Sequence, residues 1–253
     1  MTLFDFRAPR LFIDAALSPG ATVALERDQS NYLGNVLRLA AGDTVLVFNG
    51  RDGEWRAAVA GRKRLDSLTI REPTRPQDRL PDLAYVFAPL KHARLDYMVQ
   101  KAVEMGASRL QPVLTRLTQV ARVNSERMRA NVIEAAEQCG ILSLADVAEP
   151  MPLERFLNLR EPRRLLIFCD EAVQVANPHQ ALSEARPDSH GIDVLVGPEG
   201  GFAEEERALL LRQPQILRLS LGPRILRADT AAVAALALVQ TALGDWGQNP
   251  KSA

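Results

Sequence analysis

Residues 219–238 read LSLGPRILRADTAAVAALAL, and how this stretch is read decides the fold. The strand-like run ILRLSL stops at Gly222-Pro223, a pair that fixes unusual dihedrals and bends the chain back. Two arginines, Arg224 and Arg227, then lie among aliphatic residues, and Asp229 or Thr230 is a suitable N-cap for a helix made almost wholly of alanine and leucine. Small alanines allow another backbone to pack closely against that helix. The residues suit a ligand loop and equally a structural turn.

Upstream, the same texture repeats. Strand-like and helix-like segments alternate: LAYVFAPL (83–90), ARLDYMVQKAVEMG (93–106), RLQPVLT (109–115), NSERMRANVIEAAEQCG (124–140), RLLIFCD (164–170), NPHQALSEA (177–185), IDVLVG (192–197), AEEERALLLR (203–212) and ILRLSLG (216–222). Such alternation predicts an α/β layer with a mainly parallel sheet. Leu95, Met98, Val99, Ala102 and Val103 recur at helical spacing, with Gly106 placed for a left-handed cap. Asn177-Pro178 reads as an N-cap followed by a proline in the first turn.

Before residue 73 the pattern differs. RLFID, TVAL, DTVLVFNG, EWRAAVAG and DSLTIRE are short β runs, interrupted by one helix near residues 29–39, which suits a small, mostly antiparallel barrel. PTRPQDRLPD then carries Pro73, Pro76 and Pro81, predicting an extended connector. The expected division is residues 1–72 as a barrel, 73–82 as a linker and 83–253 as the α/β domain.

Composition excludes several classes. Hydrophobic residues at 47% and charged residues at 25% are globular values, so neither disorder nor a fibrous repeat is expected. Lys+Arg and Asp+Glu both number 31, so positive charge must be sought in patches. Cys139 and Cys169 lie far apart without ligand-spaced histidines, and His92, His179 and His190 form no HExxH or triad pattern; no metal site is expected. The longest apolar stretch, 231–239, is too short to span a bilayer, so a cytoplasmic protein with no membrane association is expected.

In open α/β sheets ligands bind beyond the carboxyl ends of the strands. Two such ends are marked by glycine. VGPEGGF (196–202) permits close backbone approach before an acidic helix start, yet it is neither GxxxxGK[ST] nor GxGxxG, and Glu199 with Glu204–Glu206 would repel phosphate. LSLGPRIL offers Leu219, Leu221, Ile225 and Leu226 around a bent backbone, where an adenine ring could lie. On the residues alone a small-molecule enzyme and a non-catalytic RNA-binding protein stay open.

VGPEGGF followed about twenty residues later by LGPRILRADTA resembles the paired signature of the RsmE family, SPOUT-class methyltransferases. KHARLDYMVQKAVEMGA (91–107) and EQCG (137–140) are similar to further segments of that family, and PRLFID with NVLRLAAGD to its PUA-like RNA-binding domain, so the resemblance covers nearly the whole chain. Asn31 or Tyr32 stands where the family often has histidine, Ile141 where it has arginine, and Asp229 where it has glutamate. The resemblance implies methylation of N3 of a uridine in 16S ribosomal RNA by S-adenosylmethionine, within the small ribosomal subunit. It implies a SPOUT domain with a parallel sheet and a deep trefoil knot, a PUA-like β-barrel and a homodimer. Knots are otherwise rare.

The expected cofactor residues are Leu195, Val196, Gly197, Glu199, Gly200, Gly201, Leu219, Leu221, Gly222, Ile225, Leu226 and Arg227. Arg227 and Asp229 are the catalytic candidates, one to stabilise charge on the uracil oxygens and the other as base or orienting carboxylate. Alternatives on the residues are a salt bridge from Arg227 to Asp229 or Glu199, and a capping role for Asp229. RNA contacts are expected from Arg7, Arg10, Arg38, Lys91, Arg94, Lys101 and Arg116, within a chain whose residues 109–129 hold five arginines against one glutamate.

Overall fold

The structure is a computed structural model and describes residues 8–91, 93–120, 122–173, 177–185 and 190–246. Two compact units make up the chain, Met1–Arg79 with Ala136–Leu144, and Leu80–Ala135 with Ala145–Ala253.

The first unit contains β1 (Arg10–Phe12), β2 (Thr22–Ala24), α1 (Arg27–Asn31), β3 (Thr44–Phe48), β4 (Glu54–Ala60) and β5 (Ser67–Arg75). Its sheet runs β1-β3-β4-β5-β2, antiparallel except for the parallel β1–β3 pair. Strand β3 reads as an unbroken apolar run because both of its faces are covered. Val45 and Val47 join Leu33, Leu68 and Ile70 in one cluster, while Phe48 packs with Phe12, Ala136 and Leu142 on the other side.

Two expectations need correcting here. The predicted linker begins inside a strand, because β5 continues through Pro73 to Arg75. Pro73 stands opposite Trp55 between two register shifts, where the ladder is already irregular and a missing N–H costs little. Residues 136–144 also group with this unit rather than with the α/β domain. Phe12 donates its N–H to Glu137 (2.8 Å), Arg75 donates to the Gly140 carbonyl (2.9 Å), and Leu142 donates to Asp78 (2.9 Å). The expected helix over 29–39 begins earlier, passes into a π-helical segment at Tyr32–Val36, and gives way to Arg38 at φ 57°.

The second unit holds β6 (Leu83–Phe87), α2 (Ala93–Glu104), β7 (Arg109–Leu114), α3 (Ser125–Cys139), β8 (Asp146–Val147), β9 (Met151–Pro152), α4 (Leu153–Leu159), β10 (Leu165–Cys169), α5 (Pro178–Glu184), β11 (Ile192–Val196), α6 (Glu204–Leu211), β12 (Ile216–Leu219) and α7 (Ala228–Leu243). Its strands are parallel in the order β12-β10-β11-β6-β7-β8, with β9 pairing β7. Short β8, β9 and α4 carry no periodicity long enough to read from sequence, and α4 starts behind Pro152 without a side-chain cap. Helix α2 closes on Gly106 at φ 79°, with Ala107 donating to the Ala102 carbonyl, as its sequence requires.

One buried charge in a strand, Asp193, is answered at the amino ends of the sheet. Arg164 donates to it at 2.7 Å and Arg160 at 3.5 Å, and Arg164 also reaches Asp82 at 2.7 Å. Helix α7 is fixed by buried Gln240, which donates to the Met105 carbonyl at 2.7 Å and accepts from Asp245 N–H.

The first unit depends on Glu54, whose side chain is 2% exposed and is shared by Arg10 (3.1 Å) and Arg75 (2.8 Å). Burial alone would raise its carboxyl, but hydrogen bonds from Arg75, Thr74 and Arg10 outweigh that and hold it below the ordinary 4.5. Its stabilising contribution is therefore present above pH 4.5 and is lost as the pH falls through the folded value. Glu54→Ala should cost about 3–5 kcal/mol of unfolding free energy near neutral pH, and chemical denaturation of the variant should lose part of the acid sensitivity of the wild type.

Candidate functional site

The carboxyl ends of β10, β11 and β12 open on one cavity of about 270 Å³. Residues 168–173, 196–199 and 219–226 form most of its wall, with Gly201, Phe202, Arg207, Ala228 and Ala231 completing it. The two glycine-marked loops thus face each other, because β12 lies beside β10 and β10 beside β11.

Local sequence explains the shape of each loop. Gly197 has no room for a side chain, since a Cβ there would meet the Phe202 ring at 2.4 Å; that ring in turn packs edge-on against Phe168 at 5.3 Å. Gly201 adopts φ 72° beside the Glu171 carboxylate. Gly222 adopts φ 103°, and open space surrounds the position a Cβ would take. Backbone conformation, rather than crowding, selects glycine there.

A buried carboxylate ties three walls together. Asp170, at the end of β10, accepts from Arg207 of α6 (2.9 Å) and from Arg218 of β12 (2.9 Å). Burial pushes its carboxyl up, but hydrogen bonds from Arg207, the Ala172 backbone and Arg218 pull it further down, so Asp170 stays ionised. Burial pushes the neighbouring Cys169 thiol up to about 12. Glu171, also on the wall, has no ion-pair partner among the described residues.

Of the expected cofactor residues, Val196, Gly197, Glu199, Gly201, Leu219, Leu221, Gly222, Ile225 and Leu226 line this cavity. Three do not. Leu195 is fully buried in the core behind it, as strand alternation requires. Gly200 faces Leu117 instead, and Arg227 is not part of the wall although its neighbours Leu226 and Ala228 are. Sequence reading missed the end of β10, Phe168 to Val173, together with Phe202 and Arg207. RLLIFCD carries the same signal, an apolar strand stopped by an acid, but only the sheet order shows that it adjoins the other two loops.

The N-cap of α7 is Arg227, in an extended conformation, and Asp229 is in the first turn, so neither Asp229 nor Thr230 is the cap. Asp229 accepts from the Thr230 N–H at 2.8 Å. Arg227 is exposed and has no carboxylate within ion-pair distance among the described residues, while Glu199 is paired with Arg94; the expected clamp from Arg227 to Asp229 or Glu199 is absent among them.

The expected RNA contacts fare unequally. Arg10 is corrected: its side chain is 5% exposed and is held by Glu54 in the first unit's interior. Arg38 and Lys91 are exposed, Arg94 is engaged with Glu199, Lys101 with Glu104 at 2.6 Å, and Arg116 with Glu205 at 3.0 Å. Arg7 lies outside the described residues.

The profile of the RNA methyltransferase domain matches residues 77–240, and that of the RNA methyltransferase PUA domain matches residues 25–69. The chain belongs to this RNA methyltransferase family. Ribosomal RNA small subunit methyltransferase E of Rickettsia conorii is 31% identical over 91% of this chain and 94% of that one; its namesake from Synechocystis is 32% identical over 88% and 74%. Among solved structures, ribosomal RNA small subunit methyltransferase E from Neisseria gonorrhoeae, bound to S-adenosyl methionine, superposes with a TM-score of 0.84 at 26% identity over 95% of this chain and 100% of that one. The methyltransferase Lpg2936 from Legionella pneumophila, in complex with the cofactor SAM, gives 0.80 at 27% identity, covering 93% and 98%.

The wall chemistry of this family member makes one reactivity prediction. A thiol held at about 12 is almost entirely protonated at pH 8, whereas Cys139 is exposed. Iodoacetamide at pH 8 should alkylate Cys139 well before half-buried Cys169, read by peptide mass spectrometry; equal rates would contradict the raised pKa of the Cys169 thiol.

Proposed function

We propose that this protein methylates N3 of a uridine in 16S ribosomal RNA of the small subunit, using S-adenosylmethionine. The observation that carries the reading is the single cavity closed by the loops 196–202 and 219–226 at the carboxyl ends of parallel strands, in a chain whose full-length relatives are ribosomal RNA methyltransferases. The lining fits the methyl donor. Leu219, Leu221 and Leu226 supply apolar wall for a purine, the bent backbone supplies donors and acceptors, and the Glu171 carboxylate, without an ion-pair partner among the described residues, suits a cationic group.

When bound, the donor supplies an electrophilic methyl carbon on a sulfonium, which becomes a neutral thioether as the methyl leaves. The chain must orient uracil N3 in line with that carbon and manage one proton. Arg227, exposed and without a carboxylate partner among the described residues, holds in this reading the negative charge that deprotonation spreads onto the uracil oxygens. Asp229, in the first turn of α7 with one oxygen accepting the Thr230 N–H, takes the N3 proton or orients the group that does.

The finer architecture belongs to the same reading. The chain leaves β12 at one sheet edge, and α7 then packs against α2, α5 and β11, a path that supports threading into a trefoil knot. The five-stranded sheet of the first unit supports a PUA-like barrel. A homodimer acting in the cytoplasm completes the proposal, with Tyr97 on α2 and Trp246 after α7 leaving large exposed side chains for a second copy.

Purified protein should transfer labelled methyl groups from S-adenosylmethionine to 16S ribosomal RNA from a strain lacking its own enzyme, and mapping should find N3-methyluridine. Absence of incorporation would overturn the reading. Arg227→Ala should lower turnover by about 10²-fold with donor affinity unchanged, and Arg227→Lys should recover only part of it. Gly222→Val, strained at φ 103°, should instead weaken donor binding by calorimetry in a protein that still folds.

A further inference from the structure

The first unit carries a second cavity, about 430 Å³. It is formed by α1 with the π-helical segment on one side and by the β4–β5 hairpin loop on the other. Three consecutive cations, Arg62, Lys63 and Arg64, occupy that loop, and Arg27 stands on α1; all four are exposed. None has a carboxylate within ion-pair distance among the described residues. Four cations around one concave site give it a positive field that favours an anionic ligand.

The loop is also built rather than loose. Gly61, at φ 146°, lies so close to the Arg64 carbonyl that a Cβ would meet it at 1.9 Å, Asp66 N–H closes the turn on Ala60 (3.0 Å), and the Ser30 hydroxyl donates to the Leu65 carbonyl. Between the cations, the floor is polar. Asn35 donates from Nδ2 to Asn31 Oδ1 at 2.7 Å, which leaves the Asn31 amide donor and the Asn35 carbonyl oxygen pointing to no partner among the described residues.

We propose that this cleft seats an unpaired nucleotide of the substrate RNA, with Arg27, Arg62, Lys63 and Arg64 gripping the flanking phosphates and the Asn31–Asn35 amide pair reading the base edge. Phosphate contacts set position and base contacts set choice, and unpaired RNA exposes both to a concave site, which a duplex does not. The proposal rests on the RNA substrate argued above and goes beyond it in naming the site and the form of RNA.

Binding of protein-free 16S ribosomal RNA would be measured against salt for the wild type and for Arg62→Ala/Lys63→Ala/Arg64→Ala. Loss of three single-strand phosphate contacts should make the slope of log affinity against log salt shallower by about 2, with S-adenosylmethionine affinity and thermal unfolding unchanged. Arg62→Lys/Arg64→Lys should keep the wild-type slope. Asn31→Ala/Asn35→Ala should weaken binding without changing the slope, and a blunt RNA duplex should compete poorly against the wild type. If the wild type methylates the RNA while the triple alanine variant keeps its affinity and slope, the cleft is not the site. Efficient competition by the duplex would overturn the unpaired nucleotide. A wild type that neither binds nor methylates the RNA would overturn the underlying functional reading as well.

Discussion

Asp170 is the point on which the site depends. A carboxylate nearly sealed from water at the end of β10 holds one arginine from α6 and another from β12, so the end of β10 shares one charge centre with two elements some forty residues further along the chain. Removing that charge would leave Arg207 and Arg218 facing each other without compensation, a much larger penalty than losing an exposed pair. With it in place, the carboxyl ends of β10, β11 and β12 are held around a single cavity. The glycine loops then need no further scaffold: Gly197 yields its space to Phe202, and Gly222 turns the chain back toward α7.

Two kinds of glycine are therefore at work. At 197 the constraint is steric, set by an aromatic ring that braces the strand end against Phe168. At 222 it is conformational, because nothing occupies the space a side chain would fill. This difference separates substitutions that disturb the wall from those that disturb the path of the loop. It also fits a site that closes around its ligand with backbone as much as with side chains.

Much of this was legible in the sequence. The alternation of apolar strands with capped helices marked nearly every long element of the α/β unit, and the carboxyl-end rule pointed to both glycine loops. What periodicity could not supply was adjacency. Nothing in RLLIFCD says that its strand lies between β11 and β12, so Asp170, Glu171 and Arg207 were missed although the motif was in plain view. Arg10 was misjudged for a related reason, since a buried guanidinium and an RNA-facing one have the same sequence signature until Glu54 is seen beside it. Pro73 misled differently, because a proline rule that holds in a regular ladder fails between two register shifts. Arg62, Lys63 and Arg64 carry no motif in the sequence, and only the cleft they line gives them meaning.

The central claim is that the methyl donor lies between the loops after β10, β11 and β12. Hydrogen–deuterium exchange with and without S-adenosylmethionine tests it without altering a residue. The account predicts slowed exchange in residues 168–173, 196–202 and 219–227, with residues 61–65 unaffected by the donor alone. Protection confined to other segments, or none at saturating donor, would contradict it.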